Sequence, residues 1–260
     1  MRRDPPAYGY RPDPRFTSTT AKPVEIDASK RDLVDSNVRI DLSGWAPEAR
    51  FQGSLGSCTA HAGRGAALAL CAMADRDGLL GAPPFDLSCL AIYQQSLADT
   101  GHPGIDMGVS GTAMARVLTR GFPREDVWRY SEVLPDALPP RGVWSSRRLV
   151  DWFQVAHSTR SLRGALAMAC PVVVGLPVFS GDHGMGSARS FETGEVLEPA
   201  EGDEITGWHM VSLWSHDPAT GLCVMQNSWR GWGDERCLGT IPAAYVLGRA
   251  NEILAFGAVR

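Results

Sequence analysis

The chain has 260 residues, 44% of them hydrophobic and 21% charged, with a formal net charge of −4. That profile is that of an ordinary globular protein, long enough for one large domain or two lobes. The 25 basic residues form no long block, which argues against a dedicated nucleic-acid binder. No apolar run approaches the roughly 20 residues needed to span a bilayer, so no membrane partner is expected.

In chain order, residues 1–40 are rich in Pro, Asp, Arg and Thr without sustained periodicity and read as an extended arm that adds little to a core. Their start, MRRDPPAYGYRPDPRF, has Pro, Asp and Tyr where a secretory signal carries a continuous apolar stretch. A soluble, cytoplasmic chain is expected, with export by another route left open. Residues 58–74, CTAHAGRGAALALCAMA, predict a buried helix with Cys58 in its first turn. Helices follow at 87–98 and 110–120, the latter closed by Gly121 with Pro123 beyond it. The proline-rich stretch 134–146, LPDALPPRGVWSS, reads as a connector. After a helix at 161–169, strand patterns appear at 172–176, 209–215, 222–226 and 238–241, with the turn HDPATG at 216–221. Helices followed by strands indicate an α+β protein with a cleft between a helical lobe and a sheet or barrel lobe. The cysteines lack CxxC spacing and read as mostly reduced. Of these, Cys71, Cys89, Cys170 and Cys223 read as small core residues, and Cys237, after a turn, stays open.

The segment QGSLGSCTAHA, residues 52–62, sets Cys58 after small residues at a helix start. A helix N-terminus carries positive partial charge that favours a thiolate. A nucleophilic thiol also needs an imidazole, a group orienting it, and donors for the oxyanion. GWHMVSLWSHD opens a strand with His209, and LCVMQNSWRGWGD closes the next with Asn227. Two antiparallel strands joined by HDPATG set the two side by side, where the Asn carbonyl accepts from one ring nitrogen and leaves the other for the sulfur.

QGSLGSC, GWHMVSLW and QNSWRGWGD together resemble the papain family of cysteine peptidases, from about residue 41 to the C-terminus, and GFPREDVWRY resembles the end of that family's helical lobe. His209 lies 151 positions after Cys58 and Asn227 lies 169 after it, against the family's about 130 to 150; an insertion before His209, in residues 181–207, accounts for the excess. The resemblance implies a two-lobe fold over 41–260, with a helical left lobe at about 41–135, a β-barrel-like right lobe at about 145–260 and the cleft between. It implies Cys58 as nucleophile, His209 as general acid and base, Asn227 as its orienter, and Gln52 with the Cys58 backbone N–H as oxyanion donors. Gly56 and Ser57, with Gly53 and Ser54, allow a tight loop and the approach of a substrate backbone. Met107 and Gly108 are expected on the helical wall of the cleft, and Trp229 over the Asn–His bond.

The implied activity is hydrolysis of peptide or amide bonds through a Cys58 thioester, on a peptide or protein substrate, with no cofactor and no metal. An amide-forming acyltransferase serving a dedicated protein partner and a silent binding module are the alternatives. Some positions depart from the family. Leu55 stands where relatives have a disulfide cysteine, and the facing loop GIDMGVSG lacks the partner. Thr59 replaces an aromatic residue, and Arg230 stands where glycine is common. The first 40 residues are too short for the long inhibitory propeptide of secreted relatives, though not for a short arm across the cleft. Elsewhere, His61 reads as a packed helix histidine, Asp182 and His183 as a polar loop, His102, His157 and His216 as loop or turn residues, and Arg147 and Arg148 as solvated surface.

Overall fold

The computed structural model describes residues 8–15, 23–81 and 83–260, so residues 1–7 and 16–22 of the expected arm lie outside the described residues. The 3-10 turn Ala28–Lys30 runs into helix α1 (Arg31–Asp35), and β1 (Ile40–Asp41) leads to the long helix α2 (Cys58–Arg76). Helices α3 (Cys89–Asp99) and α4 (Gly111–Arg120) complete the helical half. The remainder comprises β2 (Leu149–Gln154), α5 (Thr159–Ala167), β3 (Val172–Phe179), α6 (Ala188–Thr193), β4 (Ile205–Leu213), β5 (Ser215–His216), β6 (Leu222–Gln226), β7 (Leu238–Pro242), α7 (Ala243–Arg249) and β8 (Glu252–Val259). This is the expected α+β class. Serine caps four of the helices: Ser88, Ser110, Ser158 and Ser187 accept from the backbone N–H of Ala91, Ala113, Ser161 and Ser190, which satisfies donors a helix start otherwise leaves orphaned.

Six strands form one antiparallel sheet in the order β2-β8-β3-β4-β6-β7, while β1 pairs with β5. Side chains alternate across it. Val173, Met210, Leu254 and Phe256 join the core under α2, α3 and α4. Their neighbours Val172, Val174, Val211, Ile253 and Ala255 join a second core with Leu162, Leu166, Tyr245 and Val246 of α5 and α7. With apolar residues buried on both faces, β3 and β8 read as continuous apolar runs instead of alternating ones; β3, rich in valine, was foreseen, and β8, with few β-branched residues, was not.

Two expectations are corrected. His209 does not open its strand, because β4 begins at Ile205 and pairs with β3 through Gly207↔Val178, Trp208↔Pro177 and His209↔Leu176. The N-terminal segment does contribute core: Tyr10 and Val34 are buried in the two clusters. Its backbone is held from α5, where the buried Arg163 guanidinium donates to the carbonyls of Leu33, Val34, Ser36 and Val38 at 2.8–3.0 Å. Composition signalled an unpacked arm because these bonds are made by a residue 125 or more positions away.

Candidate active site

Cys58 is the first residue of α2, and the serine before it does not cap the helix. The Ser57 hydroxyl donates instead to Tyr130 Oη at 2.7 Å, and Tyr130 donates on to the Gln52 carbonyl at 2.8 Å. The backbone N–H groups of Cys58 and Thr59 are thereby left directed at the Cys58 sulfur, together with that of Met210. Met210 follows His209 on β4, so the strand that carries the imidazole passes directly against the thiol.

The pairing Ser212↔Gln226 brings residues 227–229 alongside 209–211. His209 Nε2 donates to Asn227 Oδ1 at 2.8 Å, and Nδ1 is buried without a hydrogen-bond partner. The Trp229 ring covers His209, centroid to centroid 4.3 Å, and is backed by Phe191 of α6, stacked at 5.8 Å. The segment before His209 is therefore more than a loop insertion: its short helix supports the indole. Gln52 is fully buried. Ser228 donates to its Oε1 at 2.6 Å, which turns the amide N–H₂ back toward its own loop, where it donates to the Leu55 carbonyl at 3.0 Å.

No family model and no curated protein sequence matches the chain. Solved structures do. Xylellain, a cysteine protease from Xylella fastidiosa, superposes with a TM-score of 0.77 at 22% identity, over 100% of this chain and 99% of that one. Digestive procathepsin L2 from Tenebrio molitor larval midgut gives 0.69 at 19% identity, over 96% and 77%. Procathepsin L3 of the same source gives 0.64 at 17%, over 91% and 75%. The fold is that of the papain-like cysteine proteases.

The papain-like cleft of this chain is filled from within. Residues 8–11 run through it, Tyr10 bridging Val109 in the parallel sense. Val109 N donates to Gly9 O and Arg11 N to Val109 O, both at 3.0 Å, and Tyr10 N donates to Trp208 O at 3.3 Å. Gly9 is pressed between Gly56 and Gly108: a Cβ on Gly9 would strike the Gly56 carbonyl, and one on Gly108 the Gly9 carbonyl. The Gly9 N–H faces the Cys58 sulfur, and Tyr8 lies 6.0 Å from the Trp229 ring. Of the residues expected to meet substrate, Gly56, Gly108 and Trp229 meet the arm, and Met107 sulfur accepts from Arg11 at 3.6 Å. The Ser57 hydroxyl is turned inward, to Tyr130.

Closure sets the protonation states. Burial pushes the Cys58 thiol up to about 12 against the opposing backbone N–H groups, and pushes the His209 imidazole down to about 3 against the Asn227 bond. In this form the pair is a neutral thiol and a neutral imidazole.

Sequence reasoning missed the residues that hold the two loops of the cleft together. Asp106 accepts from Gly56 N at 3.1 Å and from the Tyr93 hydroxyl, which in turn accepts from Gly108 N at 3.0 Å. This clamp ties the loop before Cys58 to GIDMGVSG, where the disulfide of relatives is absent. All six cysteines are free and buried. Arg230 stacks over Phe51, 4.5 Å from its centroid, and so braces the Gln52 loop. His61 is packed edge-on against Tyr130 and paired with the Ser57 carbonyl. Among the described residues no three His, Cys, Asp or Glu cluster as metal ligands, Asp182 and His183 included, and no helix is long and apolar enough to cross a membrane.

Proposed function

We propose that the chain is a thiol-dependent hydrolase of peptide or amide bonds, described here with its cleft closed by residues 8–11. The observation that carries this reading is the commitment of His209 Nε2 to Asn227, which reserves Nδ1 for a proton from the sulfur that abuts the next residue, Met210. With the arm withdrawn, Cys58 sulfur passes its proton to His209 and attacks the carbonyl carbon. The oxyanion takes the Cys58 N–H and the Gln52 amide, His209 returns the proton to the departing amine, and a thioester remains. Water, deprotonated by the same imidazole, attacks the thioester, and the thiol recovers its proton as the acid leaves.

The arm itself is a poor substrate by geometry. Its Gly9 carbonyl is turned to Val109 N, and the sulfur meets the N–H edge of the Tyr8–Gly9 peptide, whose trans geometry points the carbonyl oxygen the opposite way. The test is Cys58→Ala on a Gly9→Ala background, where a Cβ against Gly56 dislodges the arm: peptide cleavage seen with Gly9→Ala alone should vanish in the double variant while the circular dichroism spectrum stays unchanged, and retained turnover would overturn the assignment.

A further inference from the structure

A plug that only covered Cys58 would need backbone, not a tyrosine. Tyr10 instead enters a socket shaped to its ring. One wall is Gly175 of β3, where a Cβ would overlap the ring carbons; another is Trp208, centroid to centroid 6.1 Å. At the floor the Tyr10 hydroxyl donates to Asn251 Oδ1 at 2.6 Å, within reach of Glu252. Glu252 is buried, and its carboxylate is already served by Gly111 N at 2.8 Å, Thr112 N at 3.2 Å and Thr112 Oγ1 at 2.7 Å, at the start of α4. With three donors of its own it does not call for a cation. The socket is walled by a glycine and a tilted indole and tipped with acceptors, which suits an aromatic ring ending in one donor.

We propose, on the footing of the hydrolase reading, that this socket selects substrates by a tyrosyl side chain, which lies where Tyr10 lies while the substrate backbone pairs with Val109. The Val109 N–H and carbonyl serve a strand of either direction. An antiparallel substrate strand centred on Val109 uses its own N–H and carbonyl where the arm uses those of its neighbours, and its central side chain stands over the same socket. Phenylalanine fills the walls but leaves the Asn251 bond unmade, leucine brings no ring to the indole, and arginine brings a charge to a carboxylate already satisfied. Sites built to bond a substrate hydroxyl discriminate against analogues that lack it.

The experiment uses the full-length Gly9→Ala, Tyr10→Ala chain, in which a Cβ against Gly56 dislodges the arm and the socket is vacated. Peptidyl epoxides that differ only in Tyr, Phe, Leu or Arg at the selecting position are timed by the mass of the Cys58 adduct. The Tyr reagent should react about tenfold faster than the Phe one, with Leu and Arg slower still, and Asn251→Leu on the same background should erase the Tyr-over-Phe difference. Equal Tyr and Phe rates, Arg fastest, or reaction with iodoacetamide but with no peptidyl epoxide would each overturn the proposal. Hydrolysis of the matching Tyr peptide is read in parallel. Selective labelling without hydrolysis would sink the hydrolase reading and keep the socket. Should the double variant fail to fold, Tyr10→Phe in the intact chain reads the same bond: iodoacetamide modification of Cys58 should accelerate about tenfold, and an unchanged rate overturns the proposal.

Discussion

Ser57 sits where Ser88, Ser110 and Ser158 cap their helices, yet it gives its hydroxyl to Tyr130. The first-turn N–H groups it leaves are aimed at the Cys58 sulfur, so the missing cap frees for the thiol donors that a serine would otherwise occupy. Gln52 is held in the same spirit, since Ser228 decides which end of its amide faces the loop. Gln52→Ala should lower kcat by about 10²- to 10³-fold, as for other single oxyanion donors. Ser228→Ala, which frees the amide to flip, should cost about tenfold in kcat with little change in KM; equal losses for the two variants would show that Ser228 does more than orient. Cys58, His209, Asn227, Gln52 and Trp229 could be singled out because each lies in a short motif that resembles those of the papain family, and the structure sets His209 against Asn227 and Trp229 and Gln52 against Ser228. Tyr130, Ser228, Tyr93, Asp106 and Arg163 could not. Their bonds join segments far apart in sequence, and an ordinary Tyr, Ser, Asp or Arg carries no local mark of such a partner.

At the level of elements, the cleft depends on two loops being kept in register by Tyr93 of α3. Tyr93→Phe removes the hydroxyl that serves both Asp106 and Gly108 N. It should cost about 2 kcal/mol of stability, the expense of leaving such groups unpaired, and should raise KM as the wall at Met107 and Gly108 loosens. A urea titration beside steady-state kinetics checks both, and an unaltered midpoint would mean that the clamp carries no load. Arg163 does for the N-terminal segment what Tyr93 does for the wall. Arg163→Met should free the backbone at Leu33, Val34, Ser36 and Val38, appearing as faster amide hydrogen exchange confined to that segment. Helices α2, α3 and α4 were foreseen from apolar length and end signals. Strands β2 and β8 were not, because β8 lacks the run of β-branched residues that marks β3, and the edge strand β2, with only Leu149 buried, presents no buried apolar face.

For the molecule as a whole, three buried imidazoles have their pKa lowered first by burial, His216 among them; the two largest shifts bring His209 to about 3 and His61 to about 4. Each of these two binds a proton more tightly once unfolded, near the ordinary value of 6.5. Their contribution is therefore intact above pH 6.5 and is lost as pH falls toward the native values. Between pH 6.5 and 5 each should withdraw about 2 kcal/mol. The urea midpoint should drop across that window, and His61→Gln should reduce the drop by about half; a flat profile from pH 7 to 5 would mean that the imidazoles are not held neutral. The order of helices and strands could be read from composition and periodicity, and a short N-terminal arm across the cleft was left open by the sequence; which residues enter was not legible, since YGY among prolines and aspartates carries no mark of a packed segment. That occupant lies parallel to Val109. On the hydrolase reading proposed above, a plug carried on the same polypeptide closes each molecule by itself, whatever its concentration.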